Sequence, residues 1–319
     1  MKMSAALTIR VVTSLEEFKG LAREWEELLD RVPGHSLFLT WEWLYYWATH
    51  HLEDGQLRIL LASDEHECLV GIAPLYLRRT KAQGLISVRE LRWLGSEAVC
   101  SSYLDFIVQE RHKPALLQRL YRYLFNEARG EWDMLTLSDV PAESSTLDLW
   151  NELFAEAGKV GEVVRMTSCP VVRLPRDVGS YRAGLGRNRR YTLQRKTKCL
   201  AEAGRVHFTR ATNPADVEAA FESVVALHQQ RWSPRPGGGV FADERAKRFH
   251  RDIVRVLSER GRASLDLLLL DGRPIAGIYG FVYQGAYYFY LPGFAPDVLP
   301  KASPGLLVLY HRIQQAICD

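Results

Sequence analysis

Two pairs of matching stretches constrain this chain more than any single motif. Leu69-Val70-Gly71-Ile72-Ala73-Pro74-Leu75-Tyr76-Leu77 shares its pattern with Ile275-Ala276-Gly277-Ile278-Tyr279-Gly280-Phe281-Val282-Tyr283. Each follows a charged turn and carries a Gly-Ile pair near its start. Further along, Lys113-Pro114-Ala115-Leu116-Leu117 matches Ser303-Pro304-Gly305-Leu306-Leu307, both reading as the opening of an amphipathic helix. The first offset is 206 residues and the second 190, so loop lengths differ between the copies. A chain of 319 residues has room for two domains of about 150 each. The expectation is one α+β unit used twice, over residues 1–175 and 176–319, with Leu174-Pro175-Arg176-Asp177 as the crossover.

Charge divides along the same line. Residues 1–150 carry 16 Lys and Arg against 22 Asp and Glu, whereas residues 151–319 carry 25 against 16. A basic second half beside an acidic first half points to a polyanionic ligand in the second. With 47% hydrophobic and 25% charged residues the chain has globular composition, which excludes disorder as its dominant state. No window approaches the roughly 18 apolar residues of a membrane span. Thr8 and Arg10 interrupt the apolar start, which therefore does not read as a signal peptide. Five scattered cysteines without C-x-x-C suit reduced thiols and a cytoplasmic location. No H-E-x-x-H occurs, and no metal site is expected.

The periodicity predicts mixed strands and helices in the first half. A strand over 7–12 precedes a capping box at Ser14 and Glu17, followed by apolar residues at helical spacing. Further strands are expected over 57–63, 68–78, 87–94, 103–108, 132–138 and 160–174, with helices over 40–51, 114–128 and 144–157. The second half opens with a basic helix over 178–203. It continues with a strand over 206–210, helices over 214–232 and 243–260, and a meander over 263–270, 273–283 and 286–293. That meander turns at Asp271-Gly272 and Gln284-Gly285, and a helix over 303–317 follows.

Several strings in this order resemble a known family. They are Phe38-Leu39-Thr40-Trp41-Glu42-Trp43-Leu44, Leu91-Arg92-Trp93-Leu94-Gly95-Ser96 and Ser102-Tyr103-Leu104-Asp105 in the first half. In the second they are Arg187-Asn188-Arg189-Arg190, His228-Gln229-Gln230-Arg231-Trp232, Asp271-Gly272-Arg273-Pro274-Ile275-Ala276, Tyr290-Leu291-Pro292-Gly293-Phe294 and Ser303-Pro304-Gly305. Together they resemble the Gcn5-related acyltransferase (GNAT) superfamily in its tandem CelD-like and Fem-like form. The resemblance implies an α+β fold with a mixed sheet in each unit. It also implies transfer of an acyl group, acetyl above all, from acyl-CoA as co-substrate to a small-molecule or glycan amine. A place in bacterial polysaccharide or cell-envelope biosynthesis goes with it. The family's usual R/Q-x-x-G-x-G/A loop is absent in that form. Its later D-F-L strand and Y-K-x-x-W stretch are absent too, so the second unit is expected to be truncated at its C-terminus.

On this reading Lys301, Ser303 and Gly305 would hold the donor phosphates. They offer a cation, a hydroxyl and a close backbone approach at a helix start, although Pro304 removes one N–H. Arg231, Trp232 and Tyr290 would line the acceptor pocket, and backbone N–H groups near residues 290–294 would face the acyl carbonyl. The pattern assigns no general base, and Asp266, on a core-looking strand, is only a weak candidate for that role. His228 and His311 read as packed or surface histidines. The aromatic run Phe38, Trp41, Trp43, Tyr45, Tyr46 and Trp47 reads as packing.

Seven cations from Arg182 to Lys198, with no acid among them, form either a solvated face or a contact to phosphates, glycan, tRNA or membrane headgroups. Sparse aromatics argue against a nucleic-acid platform, and peripheral membrane contact stays open. Two other functions compete: a Fem-like aminoacyl-tRNA-dependent transferase, and a non-catalytic scaffold of a polysaccharide system. The missing heptad-patterned hairpin counts against the first, and retention on a CoA matrix would count against the second.

Overall fold

Ser14 is extended and its Oγ accepts the N–H of Glu17 at 3.1 Å, so this N-cap starts the first helix where the sequence puts it. The Glu17 carboxylate turns to Arg10 and leaves the expected capping box half formed. The computed structural model describes residues 7–53, 55–82, 84 and 86–319, and the opening Met1-to-Ala6 stretch lies outside them. The chain divides into two units, residues 1–167 and 168–319.

The first unit runs β1 (Thr8–Val12), α1 (Leu15–Gly20), α2 (Ala22–Leu29), α3 (Trp41–His51), β2 (Gln56–Ser63), β3 (Leu69–Ala82) and β4 (Ile86–Trp93). It continues with β5 (Ile107–Val108), α4 (Lys113–Arg122), β6 (Met134–Thr136) and α5 (Ser145–Glu156). Its sheet has the order β1-β2-β3-β4-β6, with β5 pairing β3. The pairs β1–β2, β2–β3 and β3–β4 are antiparallel, and β4–β6 is parallel across α4. The aromatic run does pack: Phe38, Trp43 and Trp47 are buried, and Trp41 stacks on Tyr45 at 4.5 Å.

The second unit runs α6 (Val178–Gly184), α7 (Arg187–Ala201), β7 (Val206–Ala211), α8 (Pro214–Trp232), α9 (Glu244–Glu259), β8 (Ala263–Leu270), β9 (Arg273–Tyr283), β10 (Ala286–Phe294) and α10 (Pro304–Cys318). Its sheet is antiparallel in the order β10-β9-β8-β7. Both meander turns fall at the expected dipeptides. Asp271 and Gly272 have φ of 48° and 81°, and Gln284 and Gly285 have φ of 48° and 71°, the left-handed pairs that tight hairpins need. Leu193, Leu200, Leu268, Ile275, Ile278, Leu307 and Val308 form a core between the sheet and α7 and α10.

The matched stretches lie on equivalent strands, β3 and β9, each third in its unit and flanked antiparallel on both sides. The match nevertheless does not keep the glycine on the same face. A Cβ on Gly71 would meet Leu116 of α4 at 2.6 Å, whereas one on Gly277 would meet Val224 of α8 at 2.9 Å. Those helices stand at different places in the repeat, and a one-residue slip along a strand exchanges its faces.

Two expectations fail. The strand expected over 160–174 is absent: this stretch has no strand or helix, and Val160 is 98% exposed. Its β-branched residues favour extended backbone, but strand propensity is realised only against a partner, and none pairs here among the described residues. The basic helix over 178–203 is broken into α6 and α7. Leu185 between them is extended at φ −72°, ψ 136°, because Gly184 and Gly186 flank it and both weaken a helix. At the far edge, β10 has β9 on one side and no strand of the described residues on the other.

Candidate functional site

Three elements meet at the end of β10. A Cβ on Gly293 would lie 2.5 Å from the backbone N of His228 and 2.8 Å from the carbonyl carbon of Leu227, so only a glycine lets β10 touch α8 here. The register slips between Phe289 and Leu291, leaving Tyr290 as the extra residue of a β-bulge. Ala295 donates its N–H to the Ile275 carbonyl at 3.0 Å. Antiparallel alternation then turns Gly293 toward β9 as well and aims the N–H of Phe294 at the open edge. Pro292, the neighbour on that same side, has no N–H to offer.

Phe294 joins two groups that the sequence proposes separately. The Arg231 guanidinium lies 4.8 Å from its ring centroid, and a Cβ on Gly305 would come within 3.0 Å of the same ring. Gly305 thus makes room for an aromatic ring at the start of α10. Arg231 also sits 5.1 Å from the Trp232 ring, which Arg235 approaches to 4.8 Å on its own account. Burial, with the charge of Arg235 behind it, pushes the Arg231 pKa below its ordinary value, and its Nε is buried without a partner.

The start of α10 is unusual. Ser303 takes a left-handed φ of 51° and does not cap the helix with its side chain. Its Oγ instead accepts a hydrogen bond from Nζ of Lys196, which also reaches the Lys301 carbonyl at 3.3 Å. Leu306 and Leu307 donate their N–H groups to the Ser303 carbonyl, and Pro304 has none. The Gly305 N–H is left at the helix end. Lys301 is exposed. Lys196 belongs to the basic run, and nothing in the sequence pattern places it at this site. The signal for it is tertiary, since 107 residues separate it from Ser303.

Lys196, Arg231, Arg235 and Lys301 pair with no carboxylate among the described residues. The corresponding helix start in the first unit differs. There Lys113 is buried and lies 3.4 Å from both Asp105 and Glu110, while Ser144 and Thr146 donate to Asp105 at 2.5 and 2.7 Å. An internal carboxylate fills the position that stays without one in the second unit.

Tyr290 does not share the surface of Arg231 and Trp232. Its ring packs against His250, Tyr279 and Phe281 at 5.3–5.5 Å, on the core side of the bulge. An aromatic chain links the two regions: Trp232 stacks on His228, His228 meets Phe241, and Phe241 meets His250. His228 is 2% exposed, and burial aided by the Arg231 charge pushes its pKa down to about 4. Enclosed between the Trp232 and Phe241 rings, it serves as packing. His311 likewise stacks on Phe208 at 3.9 Å. Asp266 is buried at 5% exposure, with Arg312 Nε at 3.6 Å and Arg210 Nε at 3.8 Å, and accepts from Ser264 and Tyr287. Burial raises its pKa against the pull of Arg312. These partners make it a structural anion beneath α10.

Residues 187–319 match the family model of an acetyltransferase (GNAT) domain. The second unit belongs to the GNAT superfamily. Among solved structures, this GNAT-containing chain is similar to the C-terminal domain of a putative lysylphosphatidylglycerol synthetase from Agrobacterium fabrum. The two share 12% identity over 95% of this chain and 75% of that one, with a TM-score of 0.50. It is also similar to a conserved protein of unknown function from Bacteroides thetaiotaomicron, at 10% identity, over 97% and 86% of the chains, with a TM-score of 0.46. Glucosamine-6-phosphate N-acetyltransferase from Arabidopsis thaliana matches 51% of this chain with 98% of its own, at 12% identity and a TM-score of 0.31. No curated protein matches in sequence. No helix among the described residues is long and apolar enough to cross a membrane, and none of their His, Cys, Asp and Glu side chains cluster as a metal site.

Proposed function

We propose that the GNAT unit moves an acyl group from acyl-CoA to an amine at the junction of β10, α8 and α10. One observation supports this most: the cations at the start of α10 have no carboxylate, while the matching helix start in the first unit has Lys113 neutralised internally. A helix N-terminus flanked by Lys196 and Lys301 suits the CoA pyrophosphate. The open edge of β10, with the Phe294 N–H turned outward, suits the thioester carbonyl, where a donor gains strength as the oxygen becomes an oxyanion. The neutral amine attacks that carbon as the C–N bond forms, the C–S bond breaks, and the proton lost by the nitrogen passes through solvent to the departing thiolate, which leaves as the CoA thiol. Arg231 and Trp232 flank the strand end and would contact the acceptor, and Tyr290 supports the bulge from behind.

Calorimetric titration with CoA tests the assignment. Lys196→Glu places a negative charge beside Ser303 and is expected to weaken binding by about tenfold or more, roughly 1.4 kcal/mol. Unchanged affinity in that variant overturns the donor site.

A further inference from the structure

Between α6, α7 and α10 lies a cavity of about 530 Å³ that the acyl-transfer site does not use. Tyr181, Leu185 and Leu193 form one wall, and Leu309, Tyr310 and Ile313 form the other. Leu306, 40% exposed, stands at its rim. The charged residue lining it is Arg189, an exposed arginine with no carboxylate partner. Arg187 and Arg195 on the same helix are also exposed and unpaired. Across α6, α7 and α10 there is not one Asp or Glu.

An apolar slot of this size is in the range that encloses a whole ligand. Here its walls suit hydrocarbon and its edge suits a single anion. A free sugar phosphate or nucleotide would leave the apolar walls wet, and a neutral lipid would leave the arginines unanswered. We infer that this cavity receives an acyl chain of an anionic phospholipid while Arg189 at its edge and Arg195 two turns on along α7 meet the headgroups of the bilayer that presents it. The chain thereby docks at an anionic membrane surface through α7 and α10. Cations near such a surface add an attraction that salt screens, and together with buried hydrocarbon they suffice for reversible attachment.

Flotation with phosphatidylcholine vesicles, with and without phosphatidylglycerol, tests this on the full chain. Binding is expected only with phosphatidylglycerol and is expected to fall as salt rises. Arg189→Glu, at an exposed position, should reduce it by at least about tenfold through charge reversal. Ile313→Glu should do the same by closing the slot to hydrocarbon, and its circular dichroism melt verifies that it is folded. Equal binding to neutral vesicles overturns the headgroup assignment. Full binding by folded Ile313→Glu overturns the slot and leaves surface adsorption. Displacement by saturating CoA overturns the separation from the donor site. Capture of RNA in place of vesicles assigns the basic helix to nucleic acid and overturns the inference.

Discussion

Gly293→Ala tests whether close contact between β10 and α8 sets the geometry of the proposed acyl-transfer site. Gly293 does not have a positive φ, so alanine brings no backbone strain. The obstacle is space. The new methyl carbon would start 2.5 Å from the His228 N, 2.8 Å from the Leu227 carbonyl carbon and 2.9 Å from the Leu227 Cβ. An ordinary contact begins near 3.4 Å, and two of these three atoms are backbone, which no side-chain rotation can move. Strand and helix must therefore separate by close to an ångström along a buried contact. Overpacking of this kind costs about 1–3 kcal/mol, and a backbone obstacle belongs in the upper half of that range. For a unit of this size about 2–3 kcal/mol corresponds to a Tm lower by roughly 4–12 °C. Differential scanning calorimetry reads this, with Gly184→Ala as the control. A methyl group on that glycine would have nothing within 4 Å, and the residue is helical, so the same chemical change should leave Tm level or slightly raised. Separation also moves the Phe294 N–H proposed to face the thioester carbonyl, so acetyl-CoA affinity should fall together with Tm. A Gly293→Ala melt within about 1 °C of wild type would refute the reasoning, since overpacking would then cost almost nothing.

His228 supplies a pH dependence. Its folded pKa of about 4 lies below the ordinary 6.5, so the unfolded chain binds a proton more readily between those values. Its contribution is complete above pH 6.5 and is lost as pH falls toward 4, amounting to at most about 3.5 kcal/mol at 1.4 kcal/mol per unit. Urea melts of His228→Leu should lack that part of the slope, and an unchanged slope would assign it elsewhere. Gly280→Ala should destabilise the second unit, because its Cβ would overlap the Tyr287 hydroxyl, which sits 3.3 Å from Asp266; near-ultraviolet circular dichroism should report the displaced tyrosine. Within the basic run, Arg190 donates to the Ala183 carbonyl at 3.0 Å and to that of Leu185, so Arg190→Ala should loosen α6 in hydrogen exchange, whereas Arg195→Ala should not.

Local chemistry made much of this protein legible in its sequence. Ser14 with Glu17, Asp271-Gly272, Gln284-Gly285 and the prolines at 114, 214 and 304 place helix starts and hairpins because each acts through its own backbone within a turn. The repeat was readable for the same reason, as a strand after a charged turn and a helix after a proline. Whatever depended on a distant partner was not. The stretch over 160–174 has strand propensity but no partner strand, and the face of Gly71 against that of Gly277 is decided by which helix lies above. At the site, Ser303, Gly305 and Arg231 were visible as residue types. That Phe294 joins Arg231 to Gly305, and that Lys196 arrives at Ser303 from 107 residues away, required the packed sheet. The same packing decided that Lys113 in one unit meets Asp105 while its counterpart helix start in the other meets no acid, because charge neutralisation is a matter of distance in space, and spacing along the chain does not carry it.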